Sequence, residues 1–418
     1  MGRGQGEMGI GFEHTLPGEL VKAGYHTQGV GKMHFYPQRS LNGFHNTVLD
    51  ESGRVHDLDF LSDYREWFGK NKTGDYAFTD HGIGWNSWMA RPYHAPEFLH
   101  PTNWTVNEGI RFIDQRDPNK PFFLKLSFAR PHSPYDAPPC YFDMYLRKKL
   151  PKAVVGNWAV MHDVPSDAAS PDAWRGVRSD EEINRARVGY YGSITHIDHQ
   201  IGRFLYHLRS KKQFDNTLII FTSDHGDMLG DHNLWRKTYA YEGSAHIPLL
   251  VVLPKSMKAP VQKKVHNPVT IQDIMPTILE AAGVDIPETV DGCSMLGLMS
   301  GERAHWREYV HGEHSTCYSE EQEMQFVTDG VYKFIWFPRL GTEQFFNLSE
   351  DPMELNDLSH DAAYADTVRT WRRRLIKTLE PRELGLTNGD QLVSQAGKPF
   401  MVSPNYKTRK DKVGGWLP

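Results

Sequence analysis

The chain has 418 residues, more than the ~100–200 of one ordinary domain, and a nearly balanced charge: 47 Lys plus Arg against 52 Asp plus Glu, a formal net of −5. That balance excludes a nucleic-acid or anionic-membrane binder working through a broad basic field, so any cation that matters acts locally. No apolar run reaches the ~18 residues of a membrane-spanning helix, and three scattered cysteines, Cys140, Cys293 and Cys317, suit neither a disulfide framework nor a zinc site.

In chain order, "HTLPGELVKAGY" reads as a helix, with Thr15 as cap, Pro17 in the first turn and Gly24 as a left-handed stop. "YHTQGVGKMHFYP" reads as a strand running into a loop that carries Lys32 and His34. Residues 50–100, rich in Gly, Trp, Asp and His without a clear period, read as long loops over a core. "NKPFFLKLSFARPHSPY" holds a second strand, 122–128, that ends in a proline-flanked loop with His132. Val188, Tyr191, Ile194, Ile197, Ile201, Phe204 and Leu208 then recur at helical spacing. Strands over 217–222 and 247–253 follow, and "VTIQDIMPTILEAAGV" reads as a helix ending at Gly283 despite Pro276.

Apolar strands alternating with helices predict an α/β fold with a largely parallel sheet covered on both faces. From about Arg307 the pattern changes to short antiparallel strands with a turn at Asp329-Gly330. An amphipathic helix follows, with Val368, Trp371, Leu375 and Leu379 on one face, and then a polar tail.

In parallel α/β sheets, ligands bind beyond the carboxyl ends of the strands, and three of the four strands deliver reactive side chains there. In "NTLIIFTSDHGDMLGDH" the apolar run stops at Asp224 and His225, and Gly226 lets the backbone turn. A carboxylate and an imidazole so placed can both ligate a divalent cation; a capping Asp beside a solvated His satisfies the local pattern too. Asp227, Asp231 and His232 fit loop structure better than ligation. Lys32 and His34, two apart on an extended segment, would point the same way. An ammonium suits an anionic oxygen and an imidazole can donate a proton, although spacing alone favours a solvent-facing pair. His132, in "RPHSP", reads equally as an aimed ring or a structural turn. Lys237, in "WRKTYAYEGSAHIP", has no local distinction. Trp85, Trp88, Tyr93 and His94 could stack on a sugar or aryl group, and packing under long loops explains them better.

The ordered set "TLPGELVKAGYHTQGVGKMH", "PFFLKLSFARPHSPY", "TLIIFTSDHGDMLGDH", "KTYAYEGSAHIPLLV", "DIMPTILEAAGV" with "DGCSM", and "FFNLSEDPMELNDL" resembles the sulfatase family of the alkaline phosphatase superfamily over nearly the whole chain. "GKMHFYP" and the His after Asp224 lean toward its bacterial arylsulfatase and phosphonate monoester hydrolase branch. The resemblance implies an alkaline phosphatase-like α/β/α sandwich with a large mixed, mostly parallel sheet, and a smaller C-terminal α+β domain with an antiparallel sheet. The corresponding division is a catalytic domain over 1–305, a small domain over 306–380 and a surface-wrapping tail over 381–418. The implied reaction is cleavage of the sulfate ester of a small molecule or sugar. Asp224 and His225 would hold one divalent ion, usually Ca2+, with Mn2+ or Mg2+ as alternatives. Lys32 and Lys237 would grip the sulfate oxygens, His132 would bind the ester and assist the leaving oxygen, and His34 would support the nucleophile. A phosphate ester or phosphonate monoester would fit the same cradle, and a non-catalytic anion- or partner-binding remnant is a third reading. Homo-oligomerisation and a cytoplasmic or periplasmic location stay open.

One departure is serious. The family's nucleophile is a formylglycine made from Cys or Ser in a Cys/Ser-x-Pro/Ala-x-Arg motif, and no cysteine here has that pattern; "SWMAR" at Ser87 and "SQAGK" at Ser394 only approach it. The paired aspartates that complete the family's metal site are missing as well. The chain is therefore expected to be an N-terminally incomplete sulfatase, inactive or nearly so on sulfate esters. Its metal site would fall short of the usual ~6 oxygen ligands, and a sheet edge would be left open.

Overall fold

The computed structural model describes residues 12–54, 59–168, 170–257, 264–301 and 305–398. Helix α1 (Leu16–Lys22) starts where expected: the Thr15 hydroxyl accepts from the Gly18 N–H at 3.1 Å, and Gly24 takes φ +90° beyond its end. Strand β1 (His26–Gly31) follows, then β2 (Asn46–Leu49), α2 (Asp63–Asn71), α3 (Pro101–Gln115) and β3 (Phe122–Ser127). The three strands form a parallel sheet in the order β2-β1-β3.

The sequence reading had only loops between 50 and 100, and α2 corrects it. Ser62 caps that helix by accepting from the Arg65 N–H, but just Tyr64 and Phe68 are buried along it, too few to show a period. Strand β2 is four residues of mixed polarity and leaves no alternation to read.

Helices α4 (Pro139–Leu146) and α5 (Asp180–Ser210) come next, α5 opening on a reciprocal capping box between Ser179 and Glu182. Strand β4 (Ile219–Thr222), the short α6 (Glu242–Ala245) and β5 (Leu249–Val252) complete this part, with β4 and β5 antiparallel. Among the described residues β4-β5 is not hydrogen-bonded to the parallel trio, so the outer edges of β3 and β4 have no strand partner. No residue of β3 or β4 is fully buried, and Phe221 on β4 and Leu250 on β5 are 42% and 58% exposed. Helix α7 (Ile274–Ala281) starts late enough that Pro276 falls in its first turn, where an N–H has no helical acceptor; that is why the proline is tolerated. Helix α8 (Leu296–Ser300) follows. No described helix is long and apolar enough to cross a membrane.

The C-terminal part is an antiparallel sheet in sequential order: β6 (Val310–His314), β7 (Met324–Thr328), β8 (Tyr332–Phe337) and β9 (Thr342–Asn347). Gly330 turns β7 into β8 at φ +87°. Helix α9 (Ala365–Leu379) packs Val368, Trp371, Leu375 and Leu379 against one face, beside Phe334, Trp336 and Phe345. The opposite face, Met324, Ile335 and Phe346, packs on Met228, Leu234, Tyr239 and Tyr241 from the loop after β4. Of the expected tail, the Gln395 N–H reaches the Pro338 carbonyl, and residues 399–418 lie outside the described residues.

One buried cation fastens this sheet to the rest. Lys333 is 1% exposed, and its ammonium donates to the Ala240 carbonyl at 2.8 Å, Glu242 at 2.5 Å and Glu354 at 2.8 Å. Lys333→Met would leave buried Glu354 without its counter-charge and Glu242 with His246 alone. The expected loss is about 3–5 kcal/mol of unfolding free energy, read by urea titration.

Candidate active site

The first site loop leaves β1 at Gly31. That residue has φ +91°, and a Cβ there would lie 1.9 Å from the Ser127 carbonyl oxygen, so only glycine fits. The Lys32 N–H bonds the same carbonyl, and the Asp50 N–H bonds Gly31 O. The next two N–H groups, of Met33 and His34, both donate to one carboxylate oxygen of buried Glu51 at 2.9 Å each. Arg54 neutralises that carboxylate at 3.2 Å.

The second loop follows β3. Arg130 and Asp136, both buried, pair through two hydrogen bonds of 2.6 and 2.8 Å around His132. The Ser133 hydroxyl donates to the Ser87 carbonyl at 2.6 Å and so ties this loop to the turn carrying Trp85. His132 Nδ1 donates to Ser133 O at 2.9 Å, leaving Nε2 as an acceptor, and the Lys237 ammonium fills it at 2.6 Å. The Trp85 indole stacks on the His132 ring with centroids 4.5 Å apart.

The third and fourth contributions come from the segment after β4. A Cβ on Gly226 would meet the Gly243 carbonyl at 2.2 Å, so the chain doubles back tightly just past His225. Tyr135 OH donates to Asp227, whose other oxygen accepts from the Leu229 and Arg236 N–H groups. Left-handed Arg236 and Thr238, at φ 69° and 86°, flank Lys237 and set its direction. Asp227 is thus loop scaffold, as read from sequence. So are Asp231, which takes Arg187 and the Val154 N–H, and His232, whose Nδ1 accepts the Gly156 N–H.

All six residues singled out in the sequence converge. Lys32 Nζ lies 3.0 Å from Asp224 Oδ2, and His225 Nε2 lies 3.7 Å from the same oxygen. The rings of His225 and His132 meet edge to face at 5.8 Å, and His132 carries Lys237. His34 is near enough to Lys32 and Asp224 to feel both charges.

The electrostatics follow from this crowding. Burial, then the Arg54 guanidinium and the Lys32 ammonium, lower the His34 imidazole to about 4. Burial and Lys237 push His132 well below its ordinary value, and burial also lowers His225. Burial, then Lys32, brings the Lys237 ammonium down to about 8. Partial desolvation pushes the Asp224 carboxyl up, but His225 and Lys32 outweigh it and hold it below the usual carboxylate range. At pH 7 the imidazoles are neutral and the two lysines carry the positive charge.

The donor chemistry suits one side of a divalent cation site. His225 Nδ1 donates to the Gly226 carbonyl at 2.7 Å, which frees Nε2 beside the Asp224 carboxylate. Among the described residues no group of three His, Cys, Asp or Glu forms a metal cage. The aromatic candidates separate: Trp85 is at the site, Trp88 packs on Trp235, and Tyr93 and His94 lie in the cluster around Tyr64 and the Ala77 carbonyl. Sequence reasoning missed Glu51, Ser52, Arg54, Arg130 and Asp136. The charged run "DESGR" contains Glu51, Ser52 and Arg54, but the short strand before it leaves no pattern that marks it as a strand end.

An α/β body that gathers lysines, imidazoles and an Asp-His pair beyond its strand ends has the arrangement expected of a hydrolase for tetrahedral oxyanion esters. A family model described as Sulfatase matches residues 9–284, and one described as N-sulphoglucosamine sulphohydrolase, C-terminal, matches 230–380. The chain belongs to the sulfatase family. It is similar to an arylsulfatase of Clostridium perfringens (strain 13 / Type A), 44% identical over 91% of this chain and 81% of that protein. In fold it is similar to the solved phosphonate monoester hydrolase of Agrobacterium radiobacter, with TM-score 0.73 and 23% identity over 89% of this chain and 81% of that one. A protein solved with its substrate D-glucosamine-2-N,6-O-disulfate gives TM-score 0.65 and 19% identity over 88% and 82%.

If Lys237 grips an anion, its lowered pKa would make that binding pH-dependent. An anion favours the ammonium form, so sulfate binding near pH 8 should take up protons, and affinity should fall as pH rises past 8. Titration calorimetry with inorganic sulfate, in buffers of differing ionisation enthalpy, should show uptake at pH 8 and none at pH 6. Affinity that stays level up to pH 9.5 would remove Lys237 from the anion's contacts.

Proposed function

We propose that the pocket of Lys32, His34, His132 and Lys237 binds the sulfuryl group of a sulfate monoester and assists its hydrolysis, with the sulfate ester of an aryl compound or sugar as substrate class. The observation that carries this reading is the unbroken run of contacts from Lys32 through Asp224, His225 and His132 to Lys237, in a chain of the sulfatase family.

Sulfuryl transfer spreads negative charge over the non-bridging oxygens, and two fixed ammonium groups stabilise that charge without reorganising. In the resting site each lysine is already paired, Lys32 with Asp224 and Lys237 with His132. A tetrahedral anion would enter by taking those donors, leaving Asp224 free to hold a cation together with His225. A divalent cation there would add a further positive charge beside the anion. With Lys237 at about 8 and His132 neutral, the proton for the leaving oxygen would come from Lys237 Nζ. Neutral His34 contributes hydrogen bonding rather than charge.

Covalent hydrolysis also needs a nucleophile, and none of the 418 residues stands in the family's Cys/Ser-x-Pro/Ala-x-Arg pattern. Phosphate esters and phosphonate monoesters present the same tetrahedral charge and would occupy the same cradle. Aryl sulfate, aryl phosphate and phenylphosphonate assayed in parallel separate these readings. The 418-residue polypeptide should turn over none of them above background while still binding inorganic sulfate. Lys32→Ala and Lys237→Ala should each weaken that binding at least ~10-fold, the loss of one charge-assisted contact. Rapid turnover of the aryl sulfate would refute the nucleophile argument, and unchanged binding in both variants would refute the pocket.

A further inference from the structure

We propose that the Asp50-Glu51-Ser52 turn at the end of β2 is a positioning element that sets the spacing of the two anion-gripping loops, with Glu51 as its principal residue. The proposal rests on the reading of the pocket as an anion site, and it concerns residues that touch no substrate.

Consecutive residues of the turn face different loops. Glu51, 1% exposed, turns its carboxylate to the Met33 and His34 N–H groups and so holds the segment that presents Lys32 and His34. Its second oxygen pairs with Arg54, whose guanidinium also reaches the Phe35 carbonyl at 3.4 Å. Ser52, the next residue, accepts at its hydroxyl from Arg130 at 3.3 Å, and Arg130 holds Asp136 on the far side of His132. Asp50 closes the turn on itself by accepting the Ser52 N–H at 3.0 Å, and its own N–H bonds Gly31 at the end of β1. The loops after β1 and β3 therefore meet on three adjacent residues.

Strain supports a positioning role over incidental packing. Ser52 and His34, joined through Glu51, both occupy left-handed backbone conformations, at φ 53° and 59°, which non-glycine residues rarely adopt. Such conformations persist only where surrounding contacts over-determine them. Here those contacts are one buried carboxylate taking two adjacent N–H groups and one buried guanidinium shared between a serine and an aspartate. A small error in this turn would move Lys32 relative to His132 and Lys237, and electrostatic grip on an anion is sensitive to such displacement.

The full chain tests this with inorganic sulfate and orthovanadate as probes. Glu51→Ala should weaken both by at least ~10-fold and speed amide exchange at Met33 and His34 by at least ~100-fold, since both N–H groups lose a charged acceptor. Glu51→Gln keeps an acceptor oxygen but leaves Arg54 without its counter-charge. It should lower the thermal midpoint yet hold affinity within ~3-fold and keep both amides protected. Affinity unchanged in Glu51→Ala, or Glu51→Gln as weak as Glu51→Ala, overturns the proposal, because a purely structural residue would lose affinity in step with stability. Should Glu51→Ala fail to fold, Ser52→Ala replaces it, with a ~3–10-fold weakening expected and no change overturning the idea. A wild-type chain that binds neither anion sinks the pocket reading instead, and amide exchange still decides the fate of the turn.

Discussion

Gathering two ammonium groups and three imidazoles into one pocket is opposed by mutual repulsion and by loss of water. At an effective dielectric of about 20, two unit charges ~6 Å apart repel by about 3 kcal/mol. The molecule limits that cost in two ways. It keeps the imidazoles of His34, His132 and His225 neutral, so the positive charge at neutral pH is confined to the lysines. It also gives each lysine a resting partner, a carboxylate for Lys32 and a ring nitrogen for Lys237. On the proposed function, an incoming oxyanion would replace those partners with its own oxygens and would meet lysines already largely withdrawn from water.

Holding such groups in place requires loops that do not relax, and one device recurs in each of them. A carboxylate, buried in Glu51 and Asp136 and half-buried in Asp227, accepts backbone N–H groups or pairs with an arginine behind the reactive side chain: Glu51 behind Lys32 and His34, Asp136 behind His132, Asp227 behind Lys237. Each of these acids is engaged by N–H, hydroxyl or guanidinium donors, and that stiffens the loops. The C-terminal sheet extends the same logic, because its inner face is the floor on which the Lys237 loop packs and Lys333 ties Glu242 of that loop to Glu354.

Much of this was legible in the sequence, and the missing part has a physical cause. Long periodic segments such as α5 and α9 are fixed by burial along their own length, and strands such as β3 show as largely apolar runs, so their pattern is visible. The ends of β1, β3 and β4 could be located for the same reason, and with them Lys32, His132 and Asp224. Short elements, β2 and α2, owe their conformation to neighbours distant in sequence and left no period to read. The same holds for Glu51, Arg130 and Asp136: each looks like an ordinary surface charge until the fold buries it against a partner. Trp85 could not be told from Trp88 by composition, because only the fold decides which indole stacks on His132 and which joins the core around Trp235.

The relation of the two sheet fragments carries the argument one step further. Lys32 follows β1 and Asp224 follows β4, so their 3.0 Å contact bridges the interval between the two sheet fragments. Ladder hydrogen bonds do not set that interval among the described residues. At the opposite end it is held by packing of Phe112, Leu208 and Phe214 and by Arg116 donating to Gln213 at 3.2 Å, contacts that belong to α3, α5 and the turn before β4. The distance between the two halves of the pocket therefore depends in part on how α5 lies on α3. Side chains on those helices, remote from any anion, bear on the geometry with which Lys32 meets Asp224, and it is there that the chemistry of the pocket and the packing of the fold become the same problem.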